Sequence, residues 1–458
     1  MDPGSLKNVF HLALARVILN EPFLQVGIIG QETKEPCYVR LPSIDLGAQL
    51  EVQTLAATAP SSCNEQLVRA IAAQHDQLWT ELEMRPPWKV IVFPRPGLEG
   101  ETPAIEVTFA YHHAIGDGIS GKLFHSKLLQ ALGRPQRDGS STATLPLHGG
   151  ILQLSSGKSL PESVEKLIQF PISWSYLLRT LWNEFGPSWL NPVARPWTAT
   201  SIDIRMPYKT NIQLVTLPAS TATKLVATCR THSASLTSLV HALTLVSLCR
   251  RLPAEAAPSF TTSTPIDLRP YLPKDADYNS KDNFHDMVTG FHDHIPEKLC
   301  ADIRTILAQD TLGGGLDQLI WTTAKRIKGS LSEKVNTLPA DDLLGMISWA
   351  GDFHERWQRK QGADRDASWE LSNLGVMDGS AGAANGWTAT RVIFSQSAGL
   401  AAVPFSLNMA GVANGEVTIT ATWAEGVVDG NLVHGVMSDL GDWTAHSGHH
   451  DGFGITPR

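Results

Sequence analysis

The residues best suited to chemistry in this sequence are His112, His113 and Asp117, which lie close together between Tyr111 and Gly118. An imidazole has an unperturbed pKa near neutrality, so it can take a proton from a hydroxyl, amine or thiol and later return it. The run from His112 to Gly118 reads His-His-x-x-x-Asp-Gly. These residue types at this spacing indicate a general base at one of the two histidines.

The residues before His112 alternate as a β-strand does. Side chains alternate between the two faces of a strand, so His113 continues the apolar parity and is predicted to point inward, whereas His112 continues the polar parity. Gly116 and Gly118 let the backbone pass closely in the turn that follows. A helix is then predicted from Gly118 to Gly133, where glycine and the nearby proline are stop signals. The apolar parity consists of Ile105, Val107, Phe109 and Tyr111.

The motif resembles the signature of the CoA-dependent acyltransferase superfamily, which includes chloramphenicol acetyltransferase, the BAHD plant acyltransferases, condensation domains and fungal alcohol acetyltransferases. Five further segments resemble the fungal alcohol acetyltransferases, in order along nearly the whole chain: 14–22, 26–30, 40–46, 369–375 and 394–397. The chain is therefore identified as a member of that family. The Asp-Phe-Gly-Trp-Gly motif of the BAHD branch does not occur in the sequence.

The length of 458 residues is too great for one ordinary core and fits two domains. A proline-rich stretch from Gly186 to Trp197 is a candidate linker, and strand and helix patterns begin again after it. We expect an α/β protein, with an N-terminal half over residues 1–190 that carries the motif and a C-terminal half over 198–458. The resemblance implies two chloramphenicol-acetyltransferase-like mixed-sheet domains with an active-site tunnel between them.

Charge and cysteine usage exclude several classes of protein. A formal net charge of -8 argues against a nucleic-acid-binding protein, which needs a basic face to neutralise phosphates. The five cysteines show no Cys-x-x-Cys pair and the N-terminus has no signal-peptide pattern, so we expect reduced thiols in a cytoplasmic protein. The most apolar stretch, Leu239–Cys249, is too short to span a membrane. We therefore expect a buried helix at this stretch. We also expect the protein to be a monomer.

The resemblance also implies roles for residues beyond the base. In the family the aspartate at the position of Asp117 pairs with an arginine, for which Arg269 is the candidate; an ordinary surface arginine is the alternative. Polar atoms of the second half are expected near the thioester, where donors stabilise a tetrahedral oxyanion. A strand end closed by a glycine turn is the alternative for the segment at 372–375. The expected substrate-binding residues are His112, Gly118, Ser372, Asn373 and Ser397.

Two clusters of ionisable residues have simpler alternatives. Lys325, Arg326 and Lys328 could bind the phosphates of CoA, although a charge run is usually a solvated helix face. A second group could suggest a metal, but its spacing matches no standard zinc motif, so we expect solvated positions and no metal. That group consists of His285, Asp286, His292, Asp293 and His294.

The sequence thus predicts an acetyl-CoA-dependent O-acyltransferase that acetylates a small alcohol in fungal secondary metabolism, with His113 as the general base and Asp117 beside it. Two alternatives stay open: a CoA-independent condensation-like or cyclising enzyme that uses the same pocket, and a non-catalytic binding protein of this fold. In the family a further segment precedes the helix that begins here near Ser5. Because that segment borders the tunnel, we expect its absence to alter the acceptor site.

Overall fold

The structure is a computed structural model that describes residues 3–54, 60–95, 103–134, 145–155, 159–185, 195–273, 282, 284–309, 314–349, 351–383 and 386–456. Two compact units divide the chain. The first comprises Met1–Leu167, Leu272–Met287 and Met377–Thr390, and the second comprises Ile168–Tyr271, Val288–Val376 and Arg391–Arg458.

The units differ from the expected halves in being discontinuous. Most of the expected linker, residues 186–194, lies outside the described residues. The late segment Met377–Thr390 belongs to the first unit, where Gly382 packs against Gly133. A Cβ on Gly133 would lie 2.6 Å from the Cα of Gly382, so this close approach requires glycine. Contacts between residues far apart in sequence place this late segment in the first unit, and no local sequence pattern predicts such contacts.

The first unit combines helices with three small sheets. Strand orders are β1-β2, β3-β8-β7 and β4-β5-β6, with β4 parallel and β6 antiparallel to β5. The helices are α1 (Pro3–Ile18), α2 (Leu46–Gln49), α3 (Pro60–His75), α4 (Gly118–Leu132) and α5 (Val164–Leu167), and the strands are β1 (Val26–Ile29), β2 (Cys37–Arg40), β3 (Ser43–Asp45), β4 (Leu50–Val52), β5 (Trp88–Arg95), β6 (Ala104–Tyr111), β7 (Leu147–His148) and β8 (Ile151–Gln153).

The core of the first unit lies between α1, α4 and the β4-β5-β6 sheet. Trp88 at the start of β5 is fully buried, and its Nε1 donates a hydrogen bond to the Leu24 carbonyl at 2.9 Å. Phe109 of β6 stacks on Phe124 of α4 with ring centroids 3.7 Å apart. Because the motif connects β6 to α4, this aromatic packing holds both ends of the motif. The predicted strand and the predicted helix around the motif are confirmed.

The second unit is built on one six-stranded mixed sheet of order β11-β10-β12-β13-β14-β9. Its strands are β9 (Thr210–Leu217), β10 (Phe260–Asp267), β11 (Val288–Ile295), β12 (Trp369–Met377), β13 (Ser406–Val412) and β14 (Val417–Ala424). Its helices are α6 (Trp174–Phe185), α7 (Ala219–Thr231), α8 (Leu236–Arg251), α9 (Glu297–Gln309), α10 (Gly314–Thr337), α11 (Phe353–Arg359) and α12 (Gly430–His449). Strands β10 and β12 are parallel, whereas β10 and β11 are antiparallel.

Helix α8 is the buried helix of the second unit, as the sequence predicted. Every residue from Ser238 to Cys249 is buried. The helix begins with a capping box, in which Ser235 and Ser238 each accept a backbone hydrogen bond from the other. In the described part of the chain no single helix is long and apolar enough to cross a membrane, although α7 and α8, bent by 93°, pass that length and composition test as a pair.

Candidate active site

The chain leaves β6 after Tyr111, the residue before the first histidine of the motif, and turns immediately. Strand β6 ends at Tyr111, and the backbone N–H of His112 donates to the Pro87 carbonyl at 2.9 Å. The next three residues, His113–Ile115, form a turn of 3₁₀-helix. The strand alternation therefore ends before His113, whose side chain is 61% exposed. The prediction that His113 points into the interior is wrong for that reason.

Gly116 allows this turn to pack closely. A Cβ at this position would lie 2.7 Å from the Cβ of Ser120 and 2.9 Å from the ring of Phe284. Any larger residue would therefore push the turn away from α4. Gly118, for which substrate binding was predicted, is the first residue of α4, and that predicted contact stays a prediction.

His112 shapes the turn rather than extending from it. It is the N-cap of the 3₁₀ turn, and its Nδ1 accepts a hydrogen bond from the backbone N–H of Ala114 at 3.1 Å. Burial, and then the neighbouring charge of His113, lower the pKa of His112. A neutral ring with an accepting Nδ1 carries its proton on Nε2. Its predicted contact with substrate stays a prediction.

His113 lies beside a carboxylate from a distant part of the sequence. Its Nδ1 is 3.3 Å from Oδ2 of Asp286, and the two side chains are 61% and 40% exposed. The hydrogen bond to this carboxylate, partly opposed by desolvation, raises the pKa of His113 to about 9. The contact with Asp286 uses Nδ1 and leaves Nε2 as the other nitrogen of this exposed ring. That nitrogen is therefore available to a substrate hydroxyl.

Asp117 is buried and binds backbone groups. Its Oδ1 caps α4 by accepting from the N–H and the hydroxyl of Ser120, at 2.8 and 3.0 Å. Its Oδ2 accepts from the backbone N–H of Met287 at 3.0 Å. Arg269 is buried in the second unit, where its guanidinium contacts Asp267 at 3.0 Å. The predicted pairing of Asp117 with Arg269 stays a prediction.

The segment 284–287 carries Asp286 and is held to the first unit by buried hydrogen bonds. The N–H of Phe284 donates to Oε2 of Glu21 at 3.1 Å. The N–H and the carbonyl of His285 both bind the hydroxyl of Ser120, at 3.1 and 2.8 Å. The His285 ring contacts the Glu162 carbonyl through Nε2 at 2.8 Å. These bonds fix the backbone around Asp286.

The candidate metal cluster is divided between unrelated environments. His285 and Asp293 are buried, so their expected solvated positions are wrong, whereas His292 and His294 on β11 are exposed as expected. Tertiary packing accounts for the two exceptions, because His285 lies in the 284–287 segment and Asp293 pairs with an arginine of α10. No group of three or more His, Cys, Asp or Glu side chains could hold a metal ion within the described residues.

The polar residues expected from the second half lie in the second unit. Ser372 is buried on β12, and Asn373 donates from Nδ2 to the hydroxyl of Thr237 at 3.0 Å. The Asn373 Oδ1 accepts from the N–H of Gly375, whose φ of +67° requires glycine. Ser397 is exposed outside the strands. The expected strand end at a glycine turn is wrong, because β12 continues past Gly375 to Met377. The oxyanion role of these residues stays a prediction.

The three cationic residues of α10 differ in their surroundings. Arg326 binds both carboxylate oxygens of Asp293, at 3.2 and 3.0 Å, and Lys328 donates to the Ala234 carbonyl at 3.3 Å. Lys325 is exposed and lines a cavity of about 550 Å³ beside the stacked rings of His232 and Trp321. Arg326 is therefore a poor candidate for a phosphate ligand, and the role of Lys325 stays a prediction.

Comparison with known proteins decides the family. A family model described as alcohol acetyltransferase matches residues 62–433. The chain belongs to the alcohol acetyltransferase family. It is 28% identical to the probable alcohol acetyltransferase FCK4 of Fusarium pseudograminearum, over 99% of this chain and 89% of that protein. It is 23% identical to the probable alcohol acetyltransferase crmB of Aspergillus fumigatus, over 95% and 90% of the two chains.

The fold agrees with the family. The structure is similar to that of the TRI3 trichothecene 15-O-acetyltransferase of Fusarium sporotrichioides, with a TM-score of 0.67 and 12% identity over 95% of this chain and 85% of that one. The condensation domain of the polyketide synthase MokA matches with a TM-score of 0.52 and 12% identity, over 98% and 90%. The predicted fold class is confirmed. Membership makes the chain an acyltransferase, and the family implies an alcohol and an acyl-CoA as substrates.

Sequence reasoning missed the contact between Asp286 and His113. The residue was visible only as part of a His- and Asp-rich stretch, and nothing in that stretch refers to the motif. Tyr38 was missed too; its hydroxyl donates to the carbonyl of Ala114, inside the turn that presents His113, at 2.5 Å. Both contacts join segments that are far apart in sequence, so no local signal could have found them.

Proposed function

We propose that the protein is an acetyl-CoA-dependent O-acetyltransferase that acetylates a small alcohol, with His113 as its general base. The observation that carries this proposal is the contact and the exposure of the His113 side chain. Its Nδ1 faces the carboxylate of Asp286 at 3.3 Å, while the side chain is 61% exposed at the end of the motif strand. An imidazole held on one nitrogen and free on the other has the arrangement expected of a general base.

The reaction is a direct transfer between the two substrates. Nε2 of His113 takes the proton of the acceptor hydroxyl as the oxygen attacks the thioester carbonyl carbon. A C–O bond forms, and the carbonyl electrons move onto oxygen to give a tetrahedral oxyanion. The C–S bond then breaks, and the departing thiolate takes the proton back from Nε2, which leaves an ester and free CoA. Proton transfer contributes ~10²–10⁴ in rate, and positioning of the substrates supplies much of the rest.

The acceptor is proposed to be a small alcohol of fungal secondary metabolism. The names of the relatives support this, since FCK4 and crmB are called probable alcohol acetyltransferases and TRI3 is called a trichothecene acetyltransferase. Donors near Ser372 and Asn373 are proposed to stabilise the oxyanion, and Lys325 to bind a phosphate of CoA. Asp117 is proposed to support the site through the backbone it binds.

The proposal is tested with the full chain, acetyl-CoA and a panel of primary and secondary alcohols. We expect release of one free thiol for each ester detected by mass spectrometry, and loss of both products in His113→Ala. The matched control is His148→Ala, because His148 is an exposed histidine of the same unit on β7. If millimolar CoA gives no heat in calorimetry and no ester forms, acetyl transfer is overturned in favour of a CoA-independent reaction.

A further inference from the structure

We propose that Asp286 is the positioning residue of the general base: its carboxylate holds Nδ1 of His113 as a hydrogen-bond donor and thereby directs the lone pair of Nε2 to the acceptor hydroxyl. The inference rests on the proposed function of His113. It assigns the role to a residue outside the His-His-x-x-x-Asp-Gly motif, in the segment 284–287.

The contact itself fixes the tautomer of the ring. An ionised carboxylate only accepts hydrogen bonds, so the nitrogen beside it carries the proton. In neutral His113 the proton then lies on Nδ1, 3.3 Å from Oδ2 of Asp286, and the lone pair lies on Nε2. Catalytic hydrogen bonds are often this long without substrate and shorten in the reacting complex. During the reaction Nε2 gains a proton, and the carboxylate keeps its charge and stabilises the imidazolium.

Backbone hydrogen bonds on both sides of Asp286 fix its position beside His113. Residues 284 and 285 are held by Glu21 and Ser120, and the N–H of Met287 is held by Asp117. These atoms are buried. A side chain whose two backbone neighbours are fixed in this way loses little further entropy when it meets the ring. The same surroundings would not be needed for a solvated surface carboxylate.

The other charged or titratable groups around His113 do not replace Asp286. Asp117 attracts the imidazolium too, but both its oxygens accept from Ser120 and Met287. His112 in the same turn is electrostatically coupled to the ring, and Tyr38 on β2 contacts the turn through the Ala114 carbonyl. Oδ1 of Asp286 is buried with no hydrogen-bond partner among the described residues. Burial, and then the charge of Asp286, raise the pKa of Tyr38, whereas the hydrogen bond of this carboxylate acts on His113.

Histidine NMR tests the contact without an activity assay. In uniformly ¹⁵N-labelled full chain, His113→Ala assigns one of the 16 histidines. We expect the His113 ring to titrate near pH 9 and to carry its neutral proton on Nδ1. Asp286→Asn should lower that pKa by about one to three units, the usual effect of removing an adjacent opposite charge. Glu65→Gln is the matched control, since Glu65 is 68% exposed and pairs with Arg69 on α3, and it should leave the titration unchanged.

The pH–rate profile tests the role. In Asp286→Asn the acid limb of kcat/KM should move to lower pH together with the NMR pKa. The plateau should fall by up to ~10⁴-fold, the loss found when a triad carboxylate becomes an amide. Asp286→Glu should restore part of both quantities, and it replaces the asparagine variant if that variant melts early. Unchanged titration and unchanged rates overturn the inference. If the NMR shift appears while the parent forms no ester, the proposed function fails instead, and with it the positioning role.

Discussion

Asp117→Asn is the substitution that most directly tests how the motif is held together. The carboxylate is buried, and its hydrogen bonds include two from Ser120 and one from the N–H of Met287. An amide keeps one accepting oxygen and replaces the other by an NH₂ group. Because asparagine is a good N-cap, we expect the bonds to Ser120 to survive and the NH₂ group to face the N–H of Met287.

The cost follows from that one lost bond. A hydrogen bond to a charged group contributes about 1.5–3 kcal/mol, and a buried donor left unsatisfied costs about 1–3 kcal/mol. These contributions overlap, so the free energy of unfolding should fall by roughly 2–4 kcal/mol. In a unit of this size each kcal/mol lowers Tm by about 2–4 °C, which predicts a decrease of roughly 5–15 °C. Activity should fall as well, because Met287 is the neighbour of Asp286.

Thermal and denaturant unfolding of the purified variants measure this effect. The matched control is Asp45→Asn, since Asp45 is also an N-cap aspartate but is exposed and accepts one bond, from the N–H of Gly47 at 2.8 Å. It should change the free energy of unfolding by no more than ~0.5 kcal/mol. Rates are compared at a temperature at which all variants are folded. Equal melting of the two variants, or full activity in folded Asp117→Asn, would show that the bond to Met287 does not support the site.

Three further predictions concern the histidines. His113→Ala should lower kcat/KM by ~10²–10⁴ and His112→Ala by less, because His112 binds the N–H of Ala114; equal losses would contradict this. Since the base must be neutral, kcat/KM should rise with pH until the pKa of His113, about 9, is passed. The stability that the raised pKa contributes is complete below about pH 6.5 and is lost as the pH rises through about 9. A flat kcat/KM profile from pH 7 to 10 would refute this prediction. Trp369→Phe removes the indole Nε1–H, which donates a hydrogen bond to Nδ1 of buried His241, and should lower the free energy of unfolding by about 1–3 kcal/mol. Unchanged stability would argue against that bond.

Most elements with strong local signals were predictable from the sequence. Helix α4 ends at Leu132, one residue before the glycine that signals its end. Strand β14 follows the Asn414-Gly415 turn, in which Asn414 has the positive φ of 58° that this dipeptide favours. Apolar periodicity records which face is buried, and turn residues record where the chain must reverse. Neither depends on a distant part of the chain.

The orientation of His113 and its partner were not predictable in this way. The alternation argument assumed that the strand continues through the histidines, but the backbone enters a 3₁₀ turn at His113. That turn is supported by contacts from far away in sequence, such as the bond between Asp117 and Met287, which are 170 residues apart. A single sequence does not reveal such a contact, because neither residue alters the local sequence pattern around the other.

The hydrogen bond from the N–H of Met287 to Asp117 gives a physical reason for finding His113 and Asp117 in one short motif. Four residues after His113, Asp117 caps α4 with one oxygen and so fixes the helix that ends the turn. With the other oxygen it holds the residue after Asp286, whose carboxylate meets His113. One side chain thus sets the position of the turn and of the segment opposite it. We therefore expect a change at Asp117 to displace both partners of the His113–Asp286 contact and so to reduce activity in protein that remains folded.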